Sequence, residues 1–279
     1  MSAKLSPVTR IRRAYSRHTA RAGGDWHGLV TLAGHGVVVE DDADRLVKAY
    51  SIQKLAIAVA VLDKVDRGEL DLARRVRLAA GDVLGGSGTY HLQPVHGDEL
   101  TVAGVLTALL LVSDNTAVRL CGRLVPAAEI NATLAAKGFA RTRVEPAADP
   151  ARFWLGDTTP RETHDLLSRL AGGTLLAPAS GAFLLGVLRA AAGHHDGVRR
   201  DLTSAQRARV ATKHGADRDE RGAARHEAGV MFAPGGAPAL VYSLFADGLG
   251  HAEDYAGTHP ANLAYAALGR SMLDATECC

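Results

Sequence analysis

The run Leu55-Ala-Ile-Ala-Val-Ala-Val-Leu62 constrains this chain more than any other stretch, because eight successive residues offer neither a charge nor a polar side chain. A helix that is apolar on every side belongs inside, so the other elements must pack around it. Ser51 and Lys54 stand at its head. Serine is a good N-cap, and the helix is expected to open there. Positions i and i+3 share a helix face, which brings the hydroxyl of Ser51 and the amine of Lys54 within reach of each other. A lysine at the buried end of such a helix loses hydration, which lowers its pKa towards a range where it accepts a proton. A hydroxyl beside such a base becomes a nucleophile. Taken alone, the pair reads more simply as an N-cap beside a solvated lysine.

The rest of the chain gives the helix its surroundings. An amphipathic helix is expected over Pro7 to Ala22, followed by two β-rich runs, His27 to Ala33 and Val37 to Glu40, around Gly34-His-Gly36. From Ser51 to about Arg209 apolar residues recur at three- and four-residue intervals, the helical period. Gly85-Gly-Ser-Gly88 inside this segment lacks the lysine and hydroxyl residue of a phosphate loop and reads as an ordinary loop. Strand patterns return at Thr212, at Ala228 to Phe232 and at Ala239 to Phe245, flanking the turn Pro234 to Pro238, before a last helix over His259 to Ala275. Strands at both ends predict an α+β fold: an antiparallel sheet built from both termini, residues 1–49 and 210–279, with an inserted all-helical lobe, residues 50–209. The crevice between the two is the expected place for a site.

Composition narrows the partners. A net charge of +2 lacks the concentrated basic field that nucleic acid binding needs. Arg10 to Arg13, and Arg199-Arg200 with Arg207 and Arg209, read as solvated helix faces. No run reaches the roughly 18 apolar residues of a membrane span. Basic residues from Lys4 to Arg21 interrupt any apolar leader, so a cytoplasmic location is expected, or a secreted one if a leader has been removed. Cys121 has no nearby partner and Cys278-Cys279 end the chain, so no structural disulfide is expected. His91, His96, His194 and His195 lack a metal spacing and read as solvated loop residues. Neither a metal nor a cofactor is expected, and the chain is expected to be a monomer.

Two more stretches bear on chemistry. Ser113-Asp114-Asn115 follows the apolar run Val102 to Val112 and by itself reads as a helix cap. Lys213-His214-Gly215 begins the strands that follow the helical segment, where glycine admits close approach of another backbone. In this order, Ser51-x-x-Lys54, Ser113-Asp114-Asn115 and Lys213-His214-Gly215 resemble the penicillin-recognising serine enzymes, in particular the class A β-lactamases and their serine-hydrolase relatives. Further similarities lie at Ser87-Gly88 with Leu92, Asn115-Thr116-Ala117, Thr158-Thr159-Pro160 and Arg225-His-Glu-Ala-Gly229.

The resemblance implies a serine hydrolase that forms an acyl-enzyme on an amide or ester, most closely like a class A β-lactamase. The alternatives are an acyl-enzyme transferase or a biosynthetic esterase or amidase, and, as a lesser one, a non-catalytic penicillin-binding protein. The implied partner is a small-molecule acyl donor. Ser51 would attack its carbonyl, Lys54 would take the proton, and Ser113 with Lys213 would relay one to the leaving group. The backbone N–H groups of Ser51 and Ala216, the latter beside Gly215, would form the oxyanion hole. Asn115 would hold Lys54 and the substrate amide, and Tyr90 would wall the crevice or sit partly buried in its loop. Lys213, His214 and Arg225 would offer charge and hydrogen bonds to a substrate carboxylate. His214 stands where the family has threonine or serine. Arg143-Val-Glu145-Pro146 resembles the start of a water-activating loop closed by Asp157, with Asp149 where an asparagine is usual. Glu145 is therefore either the base for deacylation or a surface acid.

Overall fold

The structure, a computed structural model, describes residues 5–190 and 193–277. Cys278 and Cys279 lie outside the described residues. The chain begins with α1 (Pro7–Ala22), capped by Ser6, whose hydroxyl accepts from Thr9 N at 3.2 Å, and started by proline at its first turn. Strands β1 (Asp25–Leu32) and β2 (Gly36–Asp41) form the expected N-terminal hairpin. The last strands, β8 (Val210–Asp219), β9 (Gly222–Phe232) and β10 (Pro238–Leu249), lead into α9 (Pro260–Thr276).

These five strands make one antiparallel sheet in the order β2-β1-β10-β9-β8, so the two ends of the chain meet where β1 pairs with β10. Both faces of the sheet are covered. Alternating residues of β9 and β10 feed two separate cores, as the two-residue repeat of a strand requires. Met231, Tyr242, Leu244 and Ala246 pack with Ile11 and Tyr15 of α1 and Tyr265 and Met272 of α9. Val230, Val241 and Phe245 join the core of the intervening segment.

That segment contains α2 (Gln53–Asp66), and every residue from Gln53 to Leu62 is buried. Each fully buried Ile, Val or Leu contributes about 1.5–3 kcal/mol. Around α2 lie α3 (Val102–Leu111), α4 (Asn115–Leu124), α5 (Ala127–Ala136), α6 (Pro160–Ala171), α7 (Pro178–Arg189) and the short α8 (Ser204–Arg207).

The segment is not all-helical. A two-stranded ladder joins β4 (Arg75–Arg77) to β5 (Glu99–Thr101), and a small sheet has the order β3-β7-β6, where β3 is Val47–Lys48, β6 Arg143–Pro146 and β7 Phe153–Thr158. Strands of two to six residues are too short for a periodic signal to stand out against the helices on either side. The small sheet positions the candidate site, because β3 leads directly into Ser51, and Ala49 N donates to Gly156 O at 2.8 Å. Between Lys213 and Arg225 the sequence is longer and more charged than the short turn expected between two strands, and it forms no loop. Asp219 pairs with Gly222 in register, so the added residues lengthen the β8–β9 hairpin.

Candidate active site

The entry to α2 differs from the expected N-cap. Tyr50, Ser51 and Ile52 form a short 3₁₀ turn, and Tyr50 has φ 42°, the left-handed region that a bulky side chain rarely occupies. Residue Ile52 takes the cap position with no side-chain hydrogen bond, so the Ser51 hydroxyl is not spent on capping. Strain of this kind costs on the order of 1–3 kcal/mol and persists where the surroundings impose it. Here the β3–β7 pairing before the turn and the buried helix after it do so.

One turn beyond Ser51, Lys54 is 0% exposed. Its Nζ donates to Ser113 O at 2.5 Å, Ser113 Oγ at 3.1 Å and Asn115 Oδ1 at 2.8 Å. Burial pushes its pKa down to about 7, opposed in part by the carboxylate of Asp114. Near neutral pH this amine therefore exists in both forms.

Ser113 sits between α3 and α4 with φ 54°, which turns its side chain back towards Lys54. The neighbouring Asp114 is a structural keystone. Its Oδ1 caps α4 by accepting from Ala117 N at 3.0 Å, and its Oδ2 accepts from Thr89 N at 2.6 Å and Tyr90 N at 2.9 Å. Gly88 makes this possible, since a Cβ there would lie 2.3 Å from the Asp114 Cα. Tyr90 itself is buried beneath the loop, and burial together with Asp114 raises its phenol to about 12.

From the sheet side, Lys213 of β8 donates to the same Ser113 Oγ at 3.0 Å and to His214 O at 2.7 Å. Burial and the charge of Lys54 push its pKa well below the usual lysine range. A serine hydroxyl has two lone pairs and one proton, and with both amines donating, the Ser113 O–H is left free to donate elsewhere. β8 is the edge strand, and Gly215 lies flat against the nucleophile turn: a Cβ there would stand 3.1 Å from Ile52 N and 3.2 Å from Ser51 N. Ala216 follows it along the same edge. Ser51, Lys54, Ser113, Asn115, Lys213 and Gly215 are thus gathered in one place.

Two residues expected to act at the site, Arg225 and Glu145, are engaged elsewhere, and a third, His214, is stacked on another ring. Arg225 is 3% exposed, donates to the backbone oxygens of Asp217, Ala224 and Asp254, and lies 4.5 Å over the Tyr255 ring. The next residue, His226, points to the opposite face, where its ring lies 5.6 Å from that of Tyr50. Strand alternation therefore turns Arg225 away from Ser51.

Glu145, in β6, is bound by Lys48 at 2.9 Å, and Lys48 also lies 3.3 Å from Asp157. Arg143 and Asp157 are ladder neighbours of the β6–β7 hairpin, and the acid's ion-pair partner is Lys48 rather than Arg143. The two ends of the expected loop pair as strands, and residues 147–152 turn between them.

His214 turns its ring onto His194, with centroids 3.7 Å apart and planes at 20°. Sequence reasoning missed this pairing, reading His194 as a solvated residue. Arg199, read as part of a solvated face, is 1% exposed and holds the His194 segment through the carbonyls of Ala190 and His194. Glu227 ties the same segment to the sheet, accepting from Val198 N at 3.0 Å and from Thr212 Oγ1 at 2.7 Å. Only the Arg-His-Glu-Ala-Gly similarity pointed near this anchor. Among the described residues, no cluster of three or more His, Cys, Asp or Glu side chains is placed to hold a metal. Cys121 is a free, buried thiol.

Comparison with known proteins identifies the family and the fold. The profile of the β-lactamase enzyme family matches residues 9–276, and the chain belongs to that family. The fold is shared with a β-lactamase from Sphaerobacter thermophilus, at TM-score 0.78 and 23% identity over 97% of this chain and 98% of that one. A β-lactamase from Xanthomonas campestris pv. campestris gives 0.79 and 22%, covering 97% and 99%. The structure of PBP-A gives 0.77 and 19%, each chain covered completely at 100%. Among curated proteins none matches this sequence. No helix among the described residues is long and apolar enough to cross a membrane.

Proposed function

We propose that this protein is a serine hydrolase that acts on an amide or ester through an acyl-enzyme, with Ser51 as the nucleophile. The observation that carries the reading is the Ser113 hydroxyl held between Lys54 and Lys213 at 3.1 and 3.0 Å. In its neutral form Lys54 takes the Ser51 proton as Oγ bonds to the carbonyl carbon. The N–H groups of Ser51 and Ala216 hold the oxyanion, a contribution of about 3 kcal/mol per donor. As the tetrahedral intermediate collapses, the leaving nitrogen or oxygen takes the free proton of Ser113, which is replaced from Lys54 or Lys213. Asn115 positions Lys54 and the substrate amide. Similarity to class A β-lactamases supports hydrolysis, in which water attacks the acyl-enzyme and releases the acid.

The ion pair of Glu145 with Lys48 favours a second reading for the last step. A carboxylate engaged by an amine 2.9 Å away is not free to orient a water, and release of the acyl group then falls to an amine acceptor. Turnover of an activated ester by wild type and Glu145→Gln, with and without an added amine, separates the two. Hydrolysis through Glu145 predicts a long-lived acyl-enzyme in the variant, slowed about a hundredfold. Acyl transfer predicts slow turnover in both proteins and release by the amine. Absence of any acyl-enzyme in either protein would refute the proposal.

A further inference from the structure

Resting on the acyl-enzyme reading, we infer that the site takes an uncharged acyl donor, one with no carboxylate near the reacting carbonyl. Among the described residues, each cation near Ser51 is either sealed from solvent or already matched by an acid. Lys213 is 1% exposed and committed to Ser113 Oγ and His214 O. Arg225 is buried under Tyr255 on the far face of the sheet. Lys48 faces both Glu145 and Asp157. Farther along the β8–β9 hairpin, Arg218 is paired with Glu253 and Arg221 with Asp219.

Of the nearby acids, Asp219 is held by Arg221 and Asp247 lies buried 3.7 Å from His226, whereas Asp217 accepts from Arg218 N and makes no ion pair among the described residues. Burial, then the carboxylates of Asp219, Asp217 and Asp247, raises the Tyr50 phenol to about 12. Asp217 directly follows Ala216 on the edge strand, so the rim beside the reacting carbonyl carries negative charge. His214 and His194 present their stacked rings beside Lys213, and burial with the Lys213 charge lowers the pKa of both, leaving them neutral. An anion entering this site meets repulsion at the rim and flat, uncharged rings beside Lys213, whereas a neutral aryl or alkyl group meets no such opposition.

A matched pair of esters tests the inference: meta-carboxyphenyl phenylacetate and its methyl ester. In either, the Ser51 Oγ–carbon bond forms, the carbon–aryloxy bond breaks, and the Ser51 proton leaves by way of Lys54 and Ser113 with the phenol. Phenol release is measured for both and divided by each ester's hydroxide-catalysed rate, while the adduct is followed by intact mass. The methyl ester is expected to exceed the carboxylated one in kcat/KM by about tenfold, with the gap narrowing as salt is raised. The double variant Asp217→Asn, Asp219→Asn is expected to narrow it chiefly by speeding the carboxylated ester. A carboxylated ester that reacts as fast as its methyl ester, or faster, overturns the inference while leaving the acyl-enzyme reading intact. If neither ester acylates Ser51, the acyl-enzyme reading fails and this inference fails with it.

Discussion

Replacing Lys54 by Met removes a buried amine while keeping most of its volume, and the consequence is legible in the pH dependence of stability. The amine titrates near 7 in the folded protein, against an ordinary lysine value of 10.5. Between those two values the unfolded chain binds the proton that the folded chain gives up, so stability rises with pH across that window and falls towards neutral pH. For a single group with these values, the gain from about pH 7 to pH 9 is on the order of 2 kcal/mol. The variant lacks it. At fixed pH two effects oppose each other: the three acceptors of Nζ lose a partner at about 1–3 kcal/mol each, while the desolvated charge disappears. Urea denaturation of both proteins at a series of pH values from 7 to 9 reads the difference directly, and groups that do not feel Lys54 cancel; Lys213, whose pKa the Lys54 charge helps to lower, is the exception. A variant whose stability climbs with pH as steeply as wild type would refute the assignment of the shift to Lys54. The same variant is expected to lose acylation of Ser51 by about two to four orders of magnitude, the range for removing a general base.

Two further substitutions test the supports of the site. Gly215→Ala places a methyl 3.1–3.2 Å from Ile52 N and Ser51 N, so acylation is expected to fall about tenfold as the edge strand shifts, with the melting temperature nearly unchanged; unaltered acylation would contradict the close approach. Asp114→Ala strips partners from Ala117 N, Thr89 N and Tyr90 N, and is expected to lower stability by about 3 kcal/mol in urea denaturation, against less than half of that for Asp114→Asn.

What was legible in the sequence follows from which interactions are local. Ser51 and Lys54 are one helical turn apart, and the apolar run behind them admits no exposed helix, so the burial of Lys54 could be read directly; its amine bonds to Ser113 and Asn115, partners that the helical spacing alone does not encode. The sheet built from both termini was legible in the same way, from the strand patterns of β1, β2, β9 and β10. Ser51 as an N-cap was not, because Tyr50 adopts a left-handed backbone that only the packed environment imposes. The facing of Arg225 depends on strand register, and a shift of one residue reverses every side chain, so its motif could not tell front from back. The stack of His194 on His214 joins residues from separate elements through a segment held by Arg199 and Glu227, and no periodic pattern encodes such a contact. The β6–β7 hairpin was hidden by its brevity and by the resemblance of Arg143, Glu145 and Pro146 to a loop.

The central claim is that Ser51 carries the acyl group. Wild type and Ser51→Ala are incubated with the methyl ester of meta-carboxyphenyl phenylacetate, quenched in acid, digested and mapped by mass spectrometry. The account predicts one phenylacetyl group per wild-type chain, on the peptide containing Ser51, and none on the variant. An adduct on another residue, or one that persists unchanged in Ser51→Ala, would contradict it.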